Sequence, residues 1–300
     1  MMSSNDVIII GAGPAGISAA IQLKRSGLNP IVFEKNKIGG LLNNANLVEN
    51  YPGFPGGISG RELVALFKEQ LESFGIDIIY DAVESIDYIN ETFLVQSASK
   101  EVESNAIIVA SGTQPKQIEN IKISDKIKDR IYYEIADLLE TKNKIITIIG
   151  AGDAAFDYAL NLSKKNDVTI LNRGEHTKCL QLLYDRVIND KTKDSIQYIT
   201  QAQISAIKTY SDNQLTIKYR NNNEDVDIVS DYVIFAIGRE LLLDFISDKI
   251  KKRIDELEKK DLLHFIGDIK NQNYRQTTIA VGDGVLAAMK IERKYRDKSS

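Results

Sequence analysis

Apolar residues fall along this 300-residue chain in short runs rather than in strict alternation. Val7–Ile10 and Pro30–Phe33 open the sequence, and Lys144–Ile149 and Val168–Leu171 repeat the arrangement near its middle. Such runs mark strands buried on both faces, as in a parallel sheet. A helical pattern separates the members of each pair. The first spans about Pro14 to Ser26, with proline in its first turn and Gly27 past its end; the second ends near Lys164. Another helical stretch covers about Val285 to Arg293. Ile246, Ile250, Ile254 and Leu257 recur at helical spacing among charged residues, which predicts one amphipathic, solvated helix within 245–262.

Both strand–helix junctions carry the same device, GAGPAG at 11–16 and GAGDAA at 150–155. In the first, Gly11 makes a tight turn, Gly13 lets the backbone approach a pyrophosphate, and Gly16 lets the helix pack close to the strand. Pro14 and Ala15 start the helix, whose first amides would hold phosphate charge. Glu34 ends the next strand about 20 residues on, where a carboxylate accepts hydrogen bonds from an adenosine ribose, with Lys35 beside it. In the second loop Gly150, Gly152 and Ala155 take the small positions, with Asp153 and Ala154 between them. The place of the acid falls there at Asn172 or Arg173, and neither serves a ribose as Glu34 does. Arg173, with Lys178 and His176 close by, suits a 2′-phosphate instead. One charge-assisted contact of about 1.5–3 kcal/mol gives roughly ten- to a hundred-fold preference for NADPH over NADH. Glu175 stands nearby as an alternative ribose partner.

Composition narrows the field. The length fits roughly two domains of about 150 residues. A formal charge of −4 leaves no basic footprint for nucleic acid, and no apolar run approaches the roughly 20 residues of a membrane helix. The start, MMSSND, leads into a strand without a basic region or cleavage site, so the expected location is cytoplasmic. The single cysteine, Cys179, excludes an internal disulfide, a C-x-x-C pair and a multi-cysteine metal site; it reads as a small, partly buried side chain. His176 and His264 lack a ligand pattern around them, so no metal is expected.

Four further motifs stand in order: GGLLNNANLVENYPGFPGGISGREL at 39–63, ASG at 110–112, FAIG at 235–238 and GDIKNQNYRQTTIAVGDGVLAAM at 267–289. With the two glycine loops they closely resemble the thioredoxin reductase family of two-dinucleotide flavoproteins, over nearly the whole chain. The resemblance implies an α/β chain of two Rossmann-like three-layer domains. A discontinuous FAD domain (1–113 and 241–300) would receive an inserted NAD(P) domain (114–240). It implies FAD on the first loop and a nicotinamide nucleotide on the second. Gly39, Gly40, Leu41 and Asn50 would lie by the flavin, with Gly112 and Gly267 in the adjoining turns. Asp268 would meet the ribityl chain, Arg275 and Gln276 the flavin end, and Gly238 the nucleotide side. A homodimer is implied as well.

The chain departs from that family where the redox cysteine pair belongs. Residues 130–140 read RIYYEIADLLE, and alignment on Asp137 puts Tyr133 and Ala136 at the cysteine positions. The expectation is therefore an NAD(P)H oxidoreductase without a dithiol relay and without a side chain that must be catalytic. Its electrons would go to a redox partner protein of ferredoxin or flavodoxin type, or to a quinone-like small molecule. The alternative is a non-catalytic flavin-binding redox sensor, or a degenerate relative with an idle nicotinamide site.

Overall fold

The computed structural model describes residues 5–119, 121, 123–189, 195–211 and 213–299. The chain forms two compact units: one from the residues up to Asn43, Val48–Gln114 and the residues from Leu241 on, the other from Asn44–Leu47 and Pro115–Glu240. The architecture is mixed α/β with parallel sheets.

In chain order the first unit holds β1 (Asn5–Ile10), α1 (Pro14–Arg25), β2 (Pro30–Phe33), α2 (Gly60–Ser73), β3 (Ile78–Ile79), β4 (Val83–Ile89), β5 (Thr92–Ser97) and β6 (Glu101–Val109). The strand β7 (Thr113–Pro115) leads out of it. The second unit holds β8 (Ile131–Tyr132), β9 (Ile145–Ile149), α3 (Asp153–Leu162), β10 (Asp167–Leu171), α4 (Gln181–Ile188) and β11 (Ile196–Ile199). Then come β12 (Gln203–Ser211), β13 (Gln214–Asn221), β14 (Glu224–Ser230), β15 (Tyr232–Phe235) and the returning strand β16 (Arg239–Leu241). The first unit is completed by α5 (Asp248–Lys251), α6 (Ile254–Lys259), β17 (Leu263–Phe265), α7 (Asp268–Asn271) and α8 (Thr277–Ser299).

The first sheet has the order β3-β2-β1-β6-β5-β4, and β17 lies parallel to the C-terminal half of β6. Its apolar runs are buried on both sides: Val7, Ile8 and Ile9 of β1 and Ala106 to Val109 of β6 are fully inaccessible. Burial of each valine or isoleucine side chain among them contributes about 1.5–3 kcal/mol. The second unit has a parallel five-stranded sheet, β11-β10-β9-β15-β8, and a separate antiparallel one, β12-β13-β14. Ile146 and Ile148 pack with Phe156 of α3 on one face, while Ile149 and Phe235 join Ile217 of the smaller sheet in another cluster.

Two expectations need correction. The stretch 245–262 is not one solvated helix. Ile246 sits in a bridge with Ile86 ahead of any helix, and α5 and α6 are short helices parted at Lys252–Arg253. Ile246, Ile250 and Leu257 are all buried in the core of the first unit. The chain bends to bring each of them onto the sheet edge, so helical spacing records burial rather than one straight axis. The last helix is also longer than 285–293. Gly282 and Gly284 lie inside it, and Gly284 permits contact with α1, because a methyl there would come within 2.1 Å of Ser18 Oγ. Among the described residues no helix is long and apolar enough to cross a membrane.

Candidate functional site

The two glycine loops have the same local construction, each within its own unit. Gly11 has φ +103°, and a methyl on it would lie 2.4 Å from the Ala110 carbonyl oxygen at the end of β6. Gly150 has φ +140°, and a methyl there would lie 2.2 Å from the Ala236 oxygen just past β15. Both are forced by close approach of a neighbouring strand end and by backbone conformation. Gly13 and Gly152 differ in kind. They are the N-caps of α1 and α3, at φ −77° and −96°, and make no side-chain cap. A methyl added to either meets no protein atom beyond its two chain neighbours within 4 Å. Protein packing does not require glycine at either position; the open space at each helix N-terminus suits an anion.

Around the first loop the fold collects most of the residues named from sequence. Glu34 is buried, and its Oε2 accepts the Ala12 amide at 2.8 Å while Oε1 accepts the Asn36 amide at 2.8 Å. An ionised carboxylate has about four lone-pair positions, so both oxygens retain capacity for hydroxyl donors. The Gly39 amide donates to the Ala12 oxygen at 2.7 Å, and the Gly40 Cβ position is 3.6 Å from Gly13 Cα. Gly16 admits α1 against the loop, since a methyl there would sit 1.9 Å from the Gly11 oxygen. Pro14 occupies the first turn of α1, and Lys35 is exposed. Leu41 lies in the short 3-10 turn Gly40–Asn44.

The C-terminal segment returns to the same place. Gly267, at φ +70°, approaches α1 so closely that its Cβ would lie 2.9 Å from Ala15 Cβ, and it caps the short helix that Asp268 begins. Asn50 Nδ2 donates to Gln276 Oε1 at 2.7 Å, joining residues 226 positions apart. The Arg275 Nε is buried without a hydrogen-bond partner, a donor left open beside this junction. Gly112 has φ +67° and faces open space. These features fit FAD: a cradle that a Cβ would fill, an acid with spare acceptor capacity, and an orphaned buried donor.

Sequence reading missed Asp283. Its carboxylate accepts the Gly267 amide at 3.1 Å, Lys270 Nζ at 2.8 Å and the Asn271 side chain, and so braces the turn that holds Asp268. Burial works to raise its pKa, but these hydrogen bonds outweigh it and hold the carboxyl below the ordinary range. The available signal was an acid between two glycines, GDG, on a helix otherwise packed by small residues.

In the second unit Ala155 is fully buried under its loop, Ala154 is exposed, and Asp153 Oδ1 accepts the Leu180 amide at 2.8 Å. Arg173, His176 and Lys178 are exposed, and Gly238 is exposed at φ +114°. Tyr133 stacks on Phe235 with ring centroids 5.5 Å apart, within the core cluster of the smaller sheet. Cys179 is half-buried, and burial pushes its thiol up, away from the reactive thiolate.

A family model described as pyridine nucleotide-disulphide oxidoreductase matches residues 5–284. The bifunctional thioredoxin reductase/thioredoxin of Mycobacterium leprae is 31% identical across 96% of this chain, which spans 65% of that relative's length. The thioredoxin reductase of Streptomyces clavuligerus is 30% identical, with 98% of this chain and 94% of that one covered. The crystal structure of Lactococcus lactis thioredoxin reductase superposes with a TM-score of 0.84 at 26% identity, covering 98% of this chain and 100% of the other.

Proposed function

Since the chain belongs to the pyridine nucleotide-disulphide oxidoreductase family, we propose that it is an FAD-dependent NAD(P)H oxidoreductase whose acceptor is not a disulfide. The observation that carries this reading is the pair of matched loops, in which Gly13 and Gly152 each leave open the space where a side chain would stand. FAD, when bound, takes a hydride from a reduced nicotinamide and returns its electrons singly or in pairs. The protein contributes binding and orientation. Gly11, Gly13 and the first amides of α1 would hold the pyrophosphate, Glu34 the adenosine ribose, Asp268 the ribityl chain, and Asn50, Arg275 and Gln276 the flavin end. Gly150, Gly152 and the start of α3 would hold the nicotinamide nucleotide, with Arg173 and Lys178 favouring NADPH.

The acceptor follows from what is missing. Disulfide reduction proceeds through attack by a thiolate. Alignment on Asp137 puts Tyr133 and Ala136 at the positions of the family's pair, and Cys179 is the single thiol in these 300 residues. A ferredoxin- or flavodoxin-type carrier, or a quinone-like molecule, requires no thiol. We propose a cytoplasmic homodimer as the working form.

The test is anaerobic mixing with NADPH or NADH while flavin absorbance is followed, then addition of acceptors one at a time. Bleaching by nucleotide and reoxidation by flavodoxin or a quinone, with negligible reoxidation by thioredoxin, is the expected pattern. Turnover with thioredoxin that survives Cys179→Ser would overturn the non-disulfide acceptor. No bleaching with either nucleotide would identify a flavin-binding module instead.

A further inference from the structure

In the loop after β10, Asn172, one of the two residues standing where an NADH-type acid would fall, is committed to the protein itself. Asn172 is buried, and its backbone is held at both ends: its amide donates to the Ile199 oxygen and its oxygen accepts the Ala202 amide, each at 2.8 Å. Its carboxamide is equally occupied. Oδ1 accepts the Gly174 amide at 3.0 Å, while Nδ2 donates to the Tyr198 hydroxyl at 2.9 Å and the His176 oxygen at 3.2 Å. Both N–H donors of the group are thereby used. The far end of the loop is stitched to the second glycine loop. The Ala151 oxygen accepts Thr177 Oγ1 at 2.7 Å and the Lys178 amide at 3.1 Å. Arg173 and Lys178 lie between or at these anchor points with exposed side chains that take part in none of these bonds.

We infer that Asn172 is a positioning residue for nucleotide selectivity: its carboxamide holds the Arg173–Lys178 loop in the shape that presents those cations to a phosphomonoester on an adenosine ribose. The inference rests on the proposed nicotinamide-nucleotide site. Charges on a loose loop must be ordered when the ligand arrives, and that ordering costs affinity. The clamp removes this cost in advance. Because Asn172 is buried and both its amide donors are committed to the protein, it acts through Arg173 and Lys178, and a ligand carrying the extra phosphate registers its loss.

Calorimetric titration of the FAD-loaded protein with 2′,5′-ADP and with 5′-AMP separates the roles. Asn172→Ala should weaken 2′,5′-ADP by about ten-fold while 5′-AMP changes by no more than about two-fold. Arg173→Ala should do the same, and the two losses should combine to less than their product in the double variant, since much of the Asn172 effect runs through Arg173. Tyr198→Phe leaves the Gly174 and His176 bonds in place and should give a smaller loss confined to 2′,5′-ADP, which covers the case in which Asn172→Ala does not fold. Equal losses on both ligands, losses that multiply in the double variant, or unchanged 2′,5′-ADP binding in Asn172→Ala and Tyr198→Phe would overturn the inference. A wild-type protein that binds neither ligand would instead refute the nucleotide site itself.

Discussion

Replacing Gly13 by valine should empty the protein of flavin and leave it folded. At φ −77° and ψ 178° the backbone is open to any L-residue, and no protein atom beyond its two chain neighbours lies within 4 Å of the new Cβ. Restricting the unfolded chain favours the variant by about 0.4–1 kcal/mol, and the poorer N-cap costs it about 1 kcal/mol. The two nearly cancel, so apo-protein stability should stay within about 1 kcal/mol of the parent. A pyrophosphate meets a different situation. The valine side chain occupies the approach to the α1 amides, and each charge-assisted hydrogen bond lost costs about 1.5–3 kcal/mol. Loss of two such bonds weakens FAD by roughly 100-fold or more. Gly16→Val is the control, because its Cβ would lie 1.9 Å from the Gly11 oxygen and the fold itself must give way. The assay is flavin content after purification, FAD titration of apo-protein, and urea unfolding of the apo forms, since bound flavin would itself stabilise the parent. Full flavin content in Gly13→Val would refute the reasoning, as would unfolding as complete as that of Gly16→Val.

By the same argument Gly152→Val should keep its flavin yet lose bleaching by NAD(P)H, readable in one anaerobic titration; wild-type bleaching would show that the second loop binds no pyrophosphate. His264 is buried, its Nε2 has no hydrogen-bond partner and lies 3.5 Å from Asp261 Oδ1, and burial outweighs that carboxylate and pulls its pKa down to about 4 from 6.5. A histidine lowered in the folded state contributes stability above pH 6.5 that is lost as pH falls towards 4, up to about 3 kcal/mol across the window. Urea unfolding of His264→Leu at pH 7.5 and 4.5 should show a shallower acid loss than the parent; parallel losses would place the sensitive group elsewhere. Sedimentation at micromolar concentration should report twice the 33.5 kDa chain mass; a monomer would remove the proposed homodimer.

What the sequence determined by itself was local. The four apolar runs became β1, β2, β9 and β10 within two residues at each end, because a strand buried on both faces is built almost wholly of apolar side chains. The turn glycines were legible for a similar reason: a tight strand–helix turn restricts residue type whatever surrounds it. Tertiary structure decided which distant groups share a place and what each is free to do. Asn50 meets Gln276, and Gly267 meets Ala15, only once the two ends of the chain join one sheet. Asn172 looked like an empty acid position, but β11 brings Tyr198 beside it and makes it a clamp. The spacing of Ile246, Ile250, Ile254 and Leu257 promised one helix, and the sheet edge they cover bent it into two. Periodicity reports which side chains are buried; the shape of the surface that buries them is set by parts of the chain far away in sequence.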